Sequence, residues 1–216
     1  MLHIVLSTKN KSIYVKTLHN LLNIESLCNQ IGLPLDISFV NDDTVSKGDM
    51  LKKVLKSSDR VIWFEYGTCI ARDSLHKIAR KYDSVDGIIF PAVKEGIDWD
   101  VFTTKCKNGS NEPAGQMGLT FDTDVSSRII DKENGFHEVV KAHSPACWMI
   151  DSKKALKKLK EKKKDVPSIP NTVGAFIDKC ISRNVRIGAS IDTVTTVHFT
   201  HECPGNIRNM AGVTMS

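Results

Sequence analysis

Asp59-Arg60-Val61-Ile62-Trp63-Phe64-Glu65-Tyr66-Gly67-Thr68 decides how this chain is read. An apolar run from Val61 to Phe64 stops at an acid, and a helical pattern follows from Asp73 to Lys81. A short apolar run without polar alternation predicts a strand buried on both faces, as in a parallel sheet. A carboxylate just beyond the C-terminal end of such a strand stands where open α/β sheets bind ligands. Glu65 therefore reads as part of a metal or phosphate site, although a strand that merely ends in an acid is spelled the same way.

Working outward, Leu2–Ser7 predicts a first strand, followed by the polar turn Thr8-Lys9-Asn10-Lys11 and a helical stripe of Ile13, Leu18, Leu21, Leu22 and Ile24. Leu35–Val40 predicts a second strand ending in Asn41-Asp42-Asp43-Thr44, and Met50, Leu51, Val54 and Leu55 recur at helical spacing. A helix over Ser74–Tyr82 and a strand over Gly87–Pro91 complete an alternation of β and α that predicts a parallel sheet. Residues 92–142 are irregular, with weak strand signals near Gly118–Phe121. A buried strand over Ala146–Ile150 follows, then a lysine-rich helix, a helix from Gly174 to Arg183, and strands over Arg186–Ala189 and Thr193–Phe199. Residues 206–216 show no periodicity and read as a tail or linker.

The composition is that of a soluble globular protein: 216 residues, 41% hydrophobic and 25% charged, with a net charge of +5. No apolar run approaches the roughly 20 residues that span a bilayer, and Met1–Leu6 is too short for a secretory leader. A cytoplasmic protein without membrane partners is expected. Six scattered cysteines without a CxxC pair argue against a zinc module and fit buried thiols in a reducing compartment. Eight lysines fall between Lys153 and Lys164, and the remainder is slightly acidic, so a general nucleic-acid footprint is absent. That helix lacks interleaved aromatic residues and reads as a solvated face.

Three strand ends line one crevice if the first half is doubly wound: Ser7-Thr8-Lys9, Asn41-Asp42-Asp43 and Glu65-Tyr66-Gly67. Hydroxyls, acids and a lysine there suit a nucleotide. Thr8 and Asp42 would hydrogen-bond base or ribose, Lys9 would reach phosphate, Glu65 would hold a divalent ion, and Ser7 and Tyr66 join the nucleotide-binding candidates. Neither GxGxxG nor GxxxxGK[ST] follows the first strand, which disfavours dinucleotide oxidoreductases and P-loop enzymes.

This order of pieces, over most of residues 1–203, resembles the GT-A glycosyltransferases, and in texture the small GT-A domains of large DNA viruses that infect algae. The resemblance implies an α/β, GT-A-like (Rossmann-like) single domain over 1–205, with a central, mostly parallel sheet flanked by helices and a smaller second sheet. Residues 1–91 would be its nucleotide-binding half and 92–205 its sugar and acceptor half. It implies a UDP-sugar donor, glucose or rhamnose among the candidates, and a glycan or glycoprotein acceptor, in a virus a capsid glycan made in the host cytoplasm. In the family a DxD motif binds Mn²⁺ or Mg²⁺ at the strand end where Glu65-Tyr66-Gly67 stands; here the second acid is replaced by Gly67. A C-terminal histidine often completes that site, which points to His198 or His201. Strand alternation sends these two to opposite faces.

A literal DxD, Asp122-Thr123-Asp124, lies after the irregular middle and reads as a structural turn. Asp98-Trp99-Asp100 resembles the segment that meets sugar and acceptor: an indole packs on a sugar's C–H face while carboxylates accept its hydroxyl protons. A buried tryptophan between two capping aspartates is the alternative. His143-Ser144-Pro145-Ala146-Cys147-Trp148 resembles a second donor-side segment, which adds His143 to the catalytic candidates Asp98 and Asp100, and Trp148 to the sugar-binding candidate Trp99. Inverting members of that family usually place a catalytic acid at the start of the last large helix; here none stands before Asp178, so the resemblance implies a retaining mechanism slightly more than an inverting one. The rivals are a nucleotidyltransferase, which should carry a Gly- and basic-rich loop after its first strand, and a non-catalytic carbohydrate-binding domain on a decayed scaffold.

Overall fold

The computed structural model describes residues 1–161, 164–199 and 202–205. The chain opens β1 (Leu2–Thr8), α1 (Val15–Gln30), β2 (Leu35–Asn41), α2 (Thr44–Ser57), β3 (Arg60–Phe64), β4 (Thr68–Ile70), α3 (His76–Ala79) and β5 (Gly87–Ile89). It continues α4 (Trp99–Lys107), β6 (Thr123–Asp131), β7 (Phe136–Ala142), β8 (Cys147–Asp151), α5 (Ser152–Lys158), β9 (Lys160–Glu161), β10 (Lys164–Pro167), α6 (Val173–Ser182), β11 (Ile187–Ser190), β12 (Thr195–His198) and β13 (Glu202–Gly205).

One eight-stranded sheet, in the order β2-β1-β3-β8-β5-β11-β7-β6, crosses the whole chain. β2, β1, β3, β5, β11 and β6 run one way, and β8 and β7 run against them. The expected class, a mostly parallel sheet flanked by helices with a smaller second sheet, is the one observed. The small sheet is β13-β12-β4, and β9 and β10 form a separate pair.

Strand alternation divides the core into two layers. Val5, Val61, Trp63, Trp148 and Ile150 face α2, α5 and α6, meeting Leu51, Val54, Leu55, Ala155, Phe176 and Ile177. Leu2, Ile4, Leu6, Ile62, Phe64 and Met149 face the other way, toward Leu21, Ile24 and Cys28 of α1 and Ile78 of α3. All seven residues of β1 and all five of β3 are buried, as strands covered on both faces must be.

Three expectations change. The helix read over Ser74–Tyr82 contracts to a 3₁₀ turn and the single turn α3. Its last carbonyls are taken instead by buried Arg60, whose guanidinium donates to Ile78 O (3.2 Å), Ala79 O (3.2 Å) and Arg80 O. The lysine helix stops at Lys158, and its solvated face, with Lys153 and Lys157 exposed, also carries ties: Lys153 pairs with Asp59 (2.7 Å), Lys154 donates to Tyr82 O (3.2 Å) and Lys158 pairs with Asp86 (2.7 Å). The irregular middle holds the long hairpin β6–β7, whose register shifts between Asp124, Val125, Ile129 and Asp131 erase the period-two pattern. Gly118–Phe121 contributes one bridge, Val93 with Phe121, rather than a strand. No described helix is long and apolar enough to cross a membrane. The expected tail, 206–216, lies outside the described residues.

Candidate functional site

Parallel register brings the three strand ends to one edge. Ser7 pairs with Val40, Thr8 with Asn41, and Leu6 with Phe64, so Ser7, Thr8, Asp42 and Glu65 leave the sheet together. β8 enters this edge from the opposite direction, with Cys147 beside Phe64. The corner His143–Ala146 is thereby added to the same rim, and Glu65 N donates to Ala146 O at 2.8 Å.

The rim centres on a residue that the sequence reading passed over. Asp43 caps α2 by accepting from Ser46 N at 2.8 Å, which fixes where the first turn begins and lays Lys47 back over the strand ends. Lys47 Nζ contacts Asp42 Oδ1 and donates to Glu65 Oε2 at 2.6 Å. Burial alone would depress the Lys47 pKa. The attraction of Glu65 and the hydrogen bonds to Asp42 and Glu65 outweigh that and hold it above the ordinary lysine range. The other Glu65 oxygen accepts from the indole N–H of Trp63 at 3.0 Å. Trp63 is fully buried and stacked on Trp148, with centroids 5.9 Å apart, so the core itself aims Glu65.

Gly67 explains the missing second acid. It has φ +74, and a Cβ there would meet His198 O at 2.6 Å. Glu65–Thr68 closes a turn (Thr68 N to Glu65 O, 3.1 Å) that requires this conformation, so no side chain fits where the motif's second carboxylate would stand. His198 does return to this turn, donating its backbone N–H to Gly67 O at 3.0 Å. Its ring is stacked on Tyr14 at 4.2 Å, and its Nδ1 is buried without a hydrogen-bond partner among the described residues. His201 lies outside the described residues.

A protein-held Mn²⁺ or Mg²⁺ does not fit these donors. Hard cations take several oxygen ligands, whereas Glu65 is shared between an ammonium and an indole. Among the described residues no group of three His, Cys, Asp or Glu side chains could hold an ion.

The remaining nucleotide-side candidates separate by what they touch. Ser7 is buried, and its hydroxyl lies 3.5 Å from Asp42 Oδ1. The Thr8 hydroxyl proton is committed to Val40 O at 3.1 Å, which ties β1 to β2 and leaves Thr8 only an acceptor for a ligand. Lys9 is exposed, in a tight turn where Lys9 N and Ser12 N bond across to Ser12 O and Lys9 O (3.3 and 2.9 Å), with Asn10 and Lys11 at positive φ. Tyr66 is half-buried in the turn beside Glu65. A groove next to these residues is lined by Thr8, Lys11, Ser12, Ile13, Asn41 and the exposed ring of Phe39.

On the acceptor side, Trp148 is corrected: at 1% exposure, packed between Trp63 and Phe176, it belongs to the core and cannot touch a sugar. Trp99 is the reverse, 65% exposed and set edge-on to Phe102. Asp98 caps α4 by accepting from Asp100 N (3.1 Å) and Val101 N (3.0 Å), while Asp100 is exposed in the first turn. The capping half of the alternative reading thus holds for Asp98, and its buried indole does not.

The literal DxD divides in two. Asp122 is buried and ties two loops together, accepting from Ala92 N (3.1 Å) and Ala146 N (2.8 Å). Burial pushes its pKa up to about 6, against the hydrogen bonds from Ala146, Ala92 and Thr123. Asp124, exposed, instead lies 3.2 Å from His143 Nε2. A carboxylate can only accept, so Nε2 carries the proton of that bond and Nδ1 is left as the basic nitrogen. Sequence reading found His143 but missed both Asp124 as its partner and Lys47. A helix capped at Asp43 directly after an acidic strand end was the available signal for the latter.

No family model and no curated protein sequence matches this chain. Among solved structures, the chain is similar to A197 from STIV, with a TM-score of 0.53 at 12% identity over 97% of this chain and 91% of that one. At that identity the likeness shows the shared fold. A protein from Bacillus anthracis assigned as a glucose-1-phosphate thymidylyltransferase, solved with sucrose, aligns over 91% of this chain and 89% of its own at 8% identity. Its TM-score of 0.43 is too low to carry an argument.

Proposed function

We propose that this protein is a transferase that binds a nucleotide-sugar at the rim formed by β1, β2 and β3, and passes the sugar to a hydroxyl of a glycan or glycoprotein. The observation that carries this reading is the convergence of Ser7, Asp42 and Glu65 with the His143–Ala146 corner at the carboxyl edge of one sheet. That edge is where such sheets take nucleotides. Asp42, backed by Ser7, is placed to accept from ribose or base, and the exposed face of Phe39 in the adjoining groove offers a surface for the base to stack on. UDP is the nucleotide carried over from the GT-A resemblance.

In the transfer, the bond from the sugar's C1 to the phosphate oxygen breaks with its electron pair leaving on the nucleotide. The acceptor oxygen bonds to C1 and gives up its proton. His143, oriented by Asp124, is the base we assign to that proton. The exposed Trp99, with Asp100 beside it, would receive the acceptor sugar.

The tight Lys9–Ser12 turn favours glycosyl over nucleotidyl transfer. Activating a nucleoside triphosphate calls for a loop whose amides wrap phosphates, and here β1 is followed by a two-residue turn closed on itself. A second reading, a carbohydrate-binding domain without turnover, draws on the engagement of both Glu65 oxygens by Lys47 and Trp63. Release of UDP from a panel of UDP-sugars tests both. Release from one sugar, accelerated by an acceptor glycan, is the expected result. Binding with no release would establish the second reading instead. The anomeric configuration of the product then reports on the base: inversion fits His143, and retention fits the departing phosphate.

A further inference from the structure

We propose that Lys47 supplies, from within the chain, the positive charge that meets the diphosphate of the bound nucleotide, so that binding requires no divalent cation. This deepens the nucleotide-sugar reading and rests on it.

A leaving diphosphate needs a compensating positive charge, and a metal ion is one way to provide it. Here the carboxylates that would hold such an ion already hold an ammonium. Lys47 Nζ contacts Asp42 and lies 2.6 Å from Glu65 Oε2, on the rim where β1, β2 and β3 end. The arrangement is built rather than incidental. The cap at Asp43 sets the helical turn that carries Lys47, and Trp63 fixes the Glu65 carboxylate from the core side. Gly48, the next residue, packs so closely on the loop before α6 that a Cβ would run into the Asn171 carbonyl, which holds this turn of α2 against that loop. Gly67, at positive φ and against His198 O, leaves no room for a second carboxylate that would complete a metal site.

The chemistry of the ammonium suits the role. Lys has three tetrahedrally arranged N–H donors. Among the described residues two are directed at Asp42 and Glu65, and tetrahedral geometry turns the third away from both. The side chain is 16% exposed, so that donor can reach a ligand on the rim while the stem stays fixed. Both carboxylates keep Lys47 charged through the neutral range.

The test titrates the intact protein calorimetrically with UDP and with uridine, each in EDTA and in Mn²⁺. In wild type, UDP affinity in EDTA is expected within about twofold of that in Mn²⁺. Lys47→Met is expected to weaken UDP by about tenfold or more while changing uridine by less than about threefold, and Lys47→Arg to retain UDP binding. UDP binding that requires Mn²⁺ would overturn the proposal while leaving the nucleotide reading intact. Equal weakening of UDP and uridine by Lys47→Met would also overturn it, since Lys47 would then only shape the site. Failure of wild type to bind either ligand removes the nucleotide reading and the proposal together. Should Lys47→Met fail to fold, the wild-type chelator comparison and Lys47→Arg still decide.

Discussion

Glu65-Tyr66-Gly67 and Asp122-Thr123-Asp124 are two acidic strand-edge motifs with opposite fates. The second has the full metal-motif spelling, yet its first acid is buried and holds the amides of Ala92 and Ala146. The first has lost an acid, yet its glutamate stands with Asp42 and Lys47 on the rim where β1, β2 and β3 end. What an acidic motif does is decided by its partners: backbone amides make a carboxylate a strut, and a charged side chain on an open rim makes it part of a site.

The largest effect that tests this contrast is on stability. Asp122→Ala leaves the buried Ala92 N–H and the part-buried Ala146 N–H unpaired and is expected to cost about 3–4 kcal/mol in denaturant unfolding. A loss below about 1 kcal/mol would mean that Asp122 is not the strut described. Gly67→Asp restores the motif's spelling but forces a side chain into a left-handed turn against His198 O. It is expected to cost about 2–3 kcal/mol and to add no Mn²⁺ affinity; tight Mn²⁺ binding by a folded variant would show that the turn can open. Glu65→Gln keeps the Trp63 hydrogen bond and weakens only the pairing with Lys47, so a loss of about 1 kcal/mol or less is expected, with UDP-sugar turnover falling far more than stability. Equal losses in both would erase the distinction between strut and site.

The same strut is also open to a titration. With the Asp122 carboxyl raised to about 6 from an unfolded value of 3.8, the folded state holds this proton more tightly than the unfolded chain. The stability it contributes is full below about pH 4 and is lost as pH rises through about 6. The amide resonances of Ala92 and Ala146 should move together with a midpoint near pH 6. Independent midpoints would break the assignment of both to one carboxyl.

Much of the fold was legible because buried strands announce themselves. Val61–Phe64 is apolar without interruption, Leu2–Leu6 is broken only by His3, and the alternation of strand and helix through Phe90 predicted the parallel half of the sheet. The β6–β7 hairpin was not legible, because its bulges put polar residues where a regular strand would repeat apolar ones. At the candidate site, position alone made the strand-end acids Asp42 and Glu65 stand out. Lys47 was missed because it lies on a helix, one turn past a cap, and only the tertiary fold lays it on Glu65. Trp148 was misassigned because an indole between a polar corner and an apolar strand is spelled alike whether it faces sugar or core; its stacking on Trp63 settles the matter.

The central claim is that a nucleotide-sugar binds at the rim of Asp42, Lys47 and Glu65. Its most direct test is an amide-resonance map of the protein as UDP-glucose, or the donor found in the panel, is added. The account predicts saturable shifts concentrated at Ser7–Ser12, Asn41–Lys47, Glu65–Gly67 and Ser144–Ala146. Shifts confined to the opposite edge of the sheet, around Arg60, Asp86 and Asp151, or no shifts at millimolar ligand, would contradict it.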